Sequence, residues 1–84
     1  MVFSMIHVKF FASVRERVGT EELHLPSSKS SLTVAEVLTL VEEQTQTKLG
    51  DTHLLASINH QHAGFTDPVT DEDEVAFFPP VTGG

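Results

Sequence analysis

Residues 32–37, LTVAEV, decide the fold of this chain. Thr33 followed three residues later by Glu36 is the pattern of a capping box, in which each side chain accepts a hydrogen bond from a backbone N–H of the first helical turn. Leu32 and Val37 stand at the two positions of a hydrophobic staple, which fixes how the chain enters the helix. The sequence therefore predicts that a helix begins directly after Thr33.

The residues that follow give this helix one apolar stripe. Val34, Val37, Leu38 and Val41 fall at i, i+3, i+4 and i+7, which is the spacing of one helix face. Glutamates and a glutamine occupy much of the remaining surface, at positions 36, 42, 43 and 44. We expect a helix of three to four turns that ends before Gly50 and covers one face of a sheet.

Alternating apolar residues predict the strands of that sheet. The first strand runs from Met5 to Phe11, with Ile6, Val8 and Phe10 on the core side and Met5, His7, Lys9 and Phe11 on the other. A short helix over 12–18 ends at Gly19, and further strands are expected at 22–25, 54–59, 62–65 and 74–78. Pro26 ends the second strand, and the stretches at 67–68 and 71–73 are predicted turns. The order of elements indicates an α+β fold in which a single long helix leaves one sheet face open.

The composition of the chain excludes several classes of function. The chain has 84 residues, enough for one domain, with a net charge of −7 from 12 acidic and 5 basic side chains. This balance disfavours nucleic acid and anionic membrane surfaces and favours a basic partner. With no cysteine, thiol nucleophiles and cysteine-ligated metals are excluded. No apolar run is long enough for a signal peptide, so a cytoplasmic location is expected.

The sequence ends in a tail, residues 79–84, that follows the domain at residues 5–78. Pro79 and Pro80 cannot continue a strand ladder, so the tail is expected to project from the sheet over roughly 20 Å at about 3.3 Å per residue. Gly83 and Gly84 have no side chains, which lets a narrow channel close around the backbone. The carboxylate of Gly84 is the candidate reactive group. A frayed terminus without function is the alternative that these residues leave open.

Three segments resemble a known family. They are KFFASVRE at 9–16, Ile58-Asn59, and DEVAFFPPVTGG at 73–84. Together they resemble the small, sulfur-carrying subunit of molybdopterin synthase, over residues 5–84. The resemblance implies a β-grasp, ubiquitin-like fold, with a mixed sheet of four to five strands whose first and last members lie parallel at the centre.

The resemblance also implies a chemistry for Gly84. An adenylating enzyme of the ubiquitin-activating type would join the carboxylate to AMP from ATP, and a sulfur donor would then displace AMP to leave a thiocarboxylate. In the large synthase subunit, the thiocarboxylate would donate sulfur to cyclic pyranopterin monophosphate, with Pro79, Pro80, Val81, Thr82 and Gly83 threading the tail. Two small and two large subunits would form a heterotetramer. The isolated chain would not be an enzyme and would hold no permanent cofactor.

Four residues are expected to bind the partners. Phe11 and Phe78 fall on the open face by strand parity and would leave an apolar patch in water, the alternative being that loops of the chain itself cover both rings. The resemblance assigns docking to these two rings, with His62 at a third position that is usually apolar. Arg15 matches a family position near the interface, and a plain solvated helix charge is the alternative.

Other readings remain open. A ubiquitin-like modifier, a thiamine-pathway sulfur carrier and a noncovalent adaptor also fit a β-grasp chain ending in diglycine.

His60 and His62 lie two apart but lack a third ligand, so no metal site is expected. Glu72 stands where many family members have glycine, so the turn there is expected to be shaped differently.

Overall fold

A mixed five-stranded sheet with one long helix packed on one face forms the domain. The computed structural model describes residues 5–26, 32–49, 53–70 and 72–80. The elements are β1 (Met5–Phe10), α1 (Ala12–Val18), β2 (Glu22–Pro26), β3 (Leu32–Thr33), α2 (Val34–Thr45), β4 (Leu55–Ile58), β5 (Gln61–Ala63), β6 (Pro68–Val69) and β7 (Glu74–Phe78). The sheet order is β2-β1-β7-β4-β5, and β3 pairs separately with β6. The predicted α+β class and the two helices are confirmed.

The first and last strands form the centre of the sheet. β1 and β7 pair in parallel, with Val8 opposite Val75 and Phe10 opposite Phe77. All four side chains are at most 1% exposed. The Phe10 and Phe77 rings stack with their centroids 6.4 Å apart. The parallel central pair that the resemblance implied is therefore present, and its core-facing side is fully buried.

Helix α2 begins as the capping box predicts. The Glu36 N–H donates to Thr33 Oγ1 at 3.2 Å, and the Thr33 N–H donates to Glu36 Oε1 at 2.9 Å. Val34, Val37 and Val41 are fully buried in the core that the sheet also lines. Among the described residues all buried side chains are apolar. Neither helix in the described ranges is long and apolar enough to cross a membrane.

The β3–β6 pair was not predicted, because residues 67–68 were expected to form a turn. Leu32 pairs with Val69 and Thr33 with Pro68 in an antiparallel arrangement, and Val69 is fully buried. Proline is tolerated here because Pro68 is the first residue of its strand. The same segment satisfies the start of α2, since the Val34 N–H donates to Asp67 O at 3.0 Å.

Several predicted boundaries were wrong by one or two residues. β1 ends at Phe10 rather than Phe11, β2 includes Pro26, β4 begins at Leu55, and β5 covers Gln61–Ala63 rather than 62–65. In the last case a tight turn moves the strand forward. Asn59 and His60 have φ values of 50° and 73°, the left-handed pair of a two-residue hairpin turn.

This hairpin is bonded to the start of β7. The Asn59 side chain donates to Asp73 Oδ1 and accepts from the Glu74 N–H, both at 3.0 Å. Asp73 Oδ2 also accepts from the Thr70 N–H at 2.9 Å. Partial burial raises the pKa of Asp73, but the hydrogen bonds from Thr70 and Asn59 outweigh it, and the pKa of this carboxyl is lowered. The charged carboxylate thus fixes the turn that leads into β7.

The turn at Glu72 has the conformation that glycine favours. Glu72 has a φ of 72°, and its N–H donates to Met5 O at 2.9 Å. The described turn is therefore left-handed at this position although the residue is not glycine. A side chain in this region is costly because Cβ crowds the backbone carbonyl.

We predict that Glu72→Gly raises the free energy of unfolding by about 0.5–1 kcal/mol, since glycine removes the left-handed penalty at some entropic cost. Urea unfolding of the two proteins measures this difference. Glu72→Ala is the matched control, because it removes the carboxylate but keeps Cβ. Equal stability of the glycine and alanine variants would contradict the prediction.

Candidate docking surface and tail exit

Phe11 lies on the open face of the sheet. Its N–H donates to Phe77 O at 3.2 Å, so the chain still runs beside β7 one residue past β1. Because Phe10 points into the core, the Phe11 ring points the opposite way and is 48% exposed. Phe11 is also the N-cap of α1, with an extended backbone and no side-chain capping hydrogen bond. A large apolar ring thus occupies a position where a small polar residue would favour the helix.

Phe78 lies on the same face, at the end of β7. It pairs with Leu55 of β4, which is itself 37% exposed. His62 of β5 pairs with Ser57 on the same face, and its ring meets the Phe78 ring edge-on with centroids 5.8 Å apart. Phe78 is half-buried and His62 is exposed.

These four side chains form one surface, which we call the open-face patch: Phe11, Leu55, His62 and Phe78. It extends from the end of β1 over β7, β4 and β5, at the end of the sheet where β1 and β7 both finish. The strand order of the sheet therefore brings together the three predicted docking residues Phe11, Phe78 and His62. Leu55 was not predicted as a docking residue, although strand alternation placed it opposite Ala56 and so on the open face.

The tail leaves the sheet at this patch. Pro79 is half-buried and Pro80 is exposed, and neither continues β7. Proline lacks the N–H that a ladder needs, which explains why the strand ends at Phe78. The predicted tail residues Val81, Thr82, Gly83 and Gly84 lie outside the described residues.

Arg15 lies on the exposed side of α1. Its Nη1 is 4.0 Å from Glu21 Oε2, and more than half of each side chain is exposed. Exposed pairs of this length contribute little to stability, so the guanidinium is available to a partner carboxylate at small cost. Arg15 is not part of the open-face patch.

His60 and His62 do not face each other as a strand pair would. His60 belongs to the hairpin turn, where its side chain is 84% exposed and its Nε2 lies 3.6 Å from Glu74 Oε2. His62 belongs to β5 and packs against Phe78. The two imidazoles therefore have separate environments.

Comparison with known proteins gives a consistent assignment. The chain matches the ThiS family over residues 8–84. It is 42% identical over 81 residues to the molybdopterin synthase sulfur carrier subunit of Escherichia coli, and 36% identical over 81 residues to that of Haemophilus influenzae. Each alignment covers 95% of this chain and the full length of the relative.

Solved structures share the fold. A putative molybdopterin converting factor subunit 1 from Pyrococcus furiosus superimposes with a TM-score of 0.79 at 19% identity, covering 93% of this chain and 99% of the other. Small archaeal modifier protein 1 of Haloferax volcanii gives 0.77 at 24%, covering 95% and 99%. A chain in the protein–protein complex of subunits 1 and 2 of the molybdopterin-converting factor from Helicobacter pylori gives a TM-score of 0.63 at 20% identity, covering 95% of this chain and 99% of the other. These likenesses confirm the ubiquitin-like β-grasp architecture.

We predict that Phe11→Ser changes the free energy of unfolding by no more than about 1 kcal/mol. The loss of a half-exposed ring is offset by a serine at the N-cap, which contributes roughly 1 kcal/mol. Phe10→Ala is the control and should lose about 3–5 kcal/mol, because that ring is buried. Urea unfolding compares them; equal losses would show that Phe11 belongs to the core.

Proposed function

The chain belongs to the ThiS family, and from this membership we propose that it carries sulfur for molybdenum cofactor biosynthesis, as the small subunit of molybdopterin synthase. Its curated relatives are molybdopterin synthase sulfur carrier subunits. The observation that supports this role best is where β7 ends: the strand finishes inside the open-face patch, and Pro79-Pro80 leads the chain away from it. The domain thus offers a docking surface directly beside the root of the tail.

The reactive group in this proposal is the carboxylate of Gly84. A carboxylate is a poor electrophile, so an activating enzyme first uses ATP to form an acyl-adenylate with release of pyrophosphate. A sulfur donor then displaces AMP and leaves a thiocarboxylate, whose ionised sulfur is a nucleophile. Sulfur is therefore carried covalently at Gly84, and ATP is a substrate of the activating enzyme rather than a resident cofactor of this chain.

The large synthase subunit is the proposed acceptor of the loaded tail. It would supply the catalytic pocket in which sulfur passes to cyclic pyranopterin monophosphate and builds the dithiolene. Val81, Thr82 and Gly83 would thread that pocket behind Pro79 and Pro80. The Helicobacter pylori structure is a complex of subunits 1 and 2 of such a factor, which supports a large-subunit partner. We propose two small and two large subunits in the assembly.

The open-face patch is the proposed contact for both the large subunit and the activating enzyme. Covering one of its phenylalanine rings would contribute roughly 2–3 kcal/mol, at about 25 cal/mol per Å² of apolar area. His62 stacks edge-on against Phe78 and so extends the aromatic surface where family members use an apolar residue. Arg15, outside the patch on α1, would pair with a carboxylate of the partner.

Attachment to other proteins as a ubiquitin-like modifier is a different outcome of the same activated terminus. The likeness to a small archaeal modifier protein concerns the fold alone at its level of identity. A modifier would be recovered as isopeptide conjugates with lysines, whereas a sulfur carrier would be recovered as a free thiocarboxylate. Intact-mass analysis separates the two.

We predict that deleting Gly83 and Gly84 abolishes sulfur loading while the domain stays folded, because the core lies entirely within β1 to β7. Purified chain is incubated with ATP, the activating enzyme and a sulfur source, and intact mass is measured for the exchange of one oxygen for sulfur. A variant lacking residues 1–4 is the control and should load normally.

The same variants can be tested in cells that depend on this chain for molybdenum cofactor. Cells with the tail deletion should lack molybdoenzyme activity, and cells with the N-terminal deletion should retain it. Normal cofactor levels with the tail deletion would refute the carrier function.

We further predict that Phe78→Asp weakens binding to the large subunit by roughly 30- to 150-fold, which corresponds to about 2–3 kcal/mol, because the contact of the ring is lost and an unpaired carboxylate is buried in its place. Isothermal titration calorimetry with the purified large subunit measures the change. Phe65→Asp is the matched control, since Phe65 is 36% exposed but lies outside the patch. It should bind within about twofold of the unaltered chain.

Two results would count against the docking surface: equal affinity of Phe78→Asp and the unaltered chain, or an equal loss in Phe65→Asp. Circular dichroism of both variants establishes that each is folded before binding is compared.

A further inference from the structure

A polar cluster lies on the open face, at the edge strand β2 of the sheet. We propose that His7, Glu22 and His24 form a binding site for a divalent transition metal ion of the Zn²⁺ type. One nitrogen of each imidazole and one oxygen of the carboxylate all lie within 4.8 Å of one another. No metal site was predicted from the sequence, where His60 and His62 lacked a third ligand.

The strand register explains why these residues meet. His7 of β1 pairs directly with His24 of β2, and Lys9 pairs with Glu22. Side chains two apart on one strand share a face, so Glu22 stands next to His24 and diagonally across from His7. Leu25, which follows His24 in β2, and its partner Ile6 in β1 are both buried, which fixes the cluster on the opposite, open side.

The three side chains already interact without an ion. His24 Nε2 donates to Glu22 Oε2 at 2.8 Å, and the His7 and His24 rings meet edge-on with centroids 4.7 Å apart. Zinc bonds to nitrogen and oxygen are about 2.0–2.2 Å long, so donor atoms in a tetrahedral site lie roughly 3.4 Å apart. The His24–Glu22 distance of 2.8 Å is shorter than that value, and no two donor atoms of the cluster are more than 4.8 Å apart. Small rotations of surface side chains would therefore bring all three donors into bonding range.

Metal binding would replace one hydrogen bond by bonds to the ion. The proton on His24 Nε2 would move to Nδ1, which leaves the Nε2 lone pair for the metal. Glu22 would change from accepting the hydrogen bond of His24 to ligating the same ion. Two imidazoles and one carboxylate suit Zn²⁺ with water in the fourth position, whereas Ca²⁺ and Mg²⁺ prefer all-oxygen sites.

Access and charge favour a cation here. The side chains of His24 and Glu22 are 49% and 43% exposed, so an ion reaches them from solvent. Lys9 is paired with Glu22 across β1 and β2, but its Nζ lies 3.9 Å from Glu74 Oε1. Glu74 belongs to β7, which adjoins β1 on the edge opposite to β2. The chain as a whole has a net charge of −7, which attracts cations.

The proposed metal site is separate from the open-face patch. The cluster lies on β1 and β2, whereas the patch extends from the end of β1 over β7, β4 and β5. No residue belongs to both. The metal site is therefore independent of sulfur carriage, and each of the two proposals can fail without the other.

Calorimetric titration of the tag-free full chain with Zn²⁺ tests the site. We expect one ion per chain, and at least a tenfold weaker affinity for His7→Gln, Glu22→Ala and His24→Gln. This magnitude follows because removing groups that only support a metal ligand already costs about 10- to 100-fold. His62→Gln is the matched control, an exposed histidine on the same face, and should bind within about twofold of the unaltered chain.

Two-dimensional NMR of the histidine side chains provides a second readout. The imidazole signals of His7 and His24 should shift together and saturate at one equivalent of Zn²⁺, while those of His53, His60 and His62 stay in place. Amide spectra of the variants establish that each is folded. The proposal is overturned if no binding is seen at millimolar Zn²⁺, if His7→Gln and His24→Gln keep full affinity, or if His62→Gln loses as much as they do.

Discussion

The parallel pairing of β1 with β7 is the constraint on which the rest of the structure depends. It buries Val8, Phe10, Val75 and Phe77 against the helix side of the sheet. Because side chains alternate along a strand, the same register directs Phe11 and Phe78 to the opposite side. A slip of one residue would bury these rings and expose the core. Core packing therefore determines both the open-face patch and the place where the tail departs.

The residues around Phe11 lower the local stability of the chain, but they suit a docking surface. The ring takes the N-cap of α1 without supplying a capping hydrogen bond, and the following Ala12 has a φ of 52°. Both features reduce the local stability of the chain. Departures from the best local sequence are expected mainly at functional sites, where another requirement outweighs stability. Under the proposed function, an exposed aromatic ring beside the root of the tail meets such a requirement.

Local signals made much of the fold predictable from sequence. The capping box at Thr33 and Glu36, the stop at Gly19 and the alternation along β1 and β7 each depend on residues close together in the chain. The β3–β6 pair was not predictable in this way, since strands of two residues have no periodicity. Pro68 was also predicted to lie in a turn, because its position at the start of a strand is known only from its pairing with Thr33.

The candidate sites show the same division. Parity within one strand was enough to place Phe11 and Phe78 on the open face, and the family resemblance added His62. Leu55 is identified as part of the open-face patch only through its pairing with Phe78. The cluster of His7 with Glu22 and His24 requires the register between two strands, which alternation within each strand does not specify. Sequence thus indicates which side a residue faces, and the structure shows which neighbours it meets there.

The central position of β7 also has a consequence for the folding pathway. β1 and β2 are connected through the short helix α1, and β4 and β5 through a two-residue turn, so both pairs make local contacts that form quickly. β7 must then insert between them, which closes a loop that includes nearly the whole domain. High contact order of this kind slows the rate-limiting step. We therefore expect that the two halves stay separate, with the inner edges of β1 and β4 unpaired, until the last strand arrives and joins them in one cooperative event.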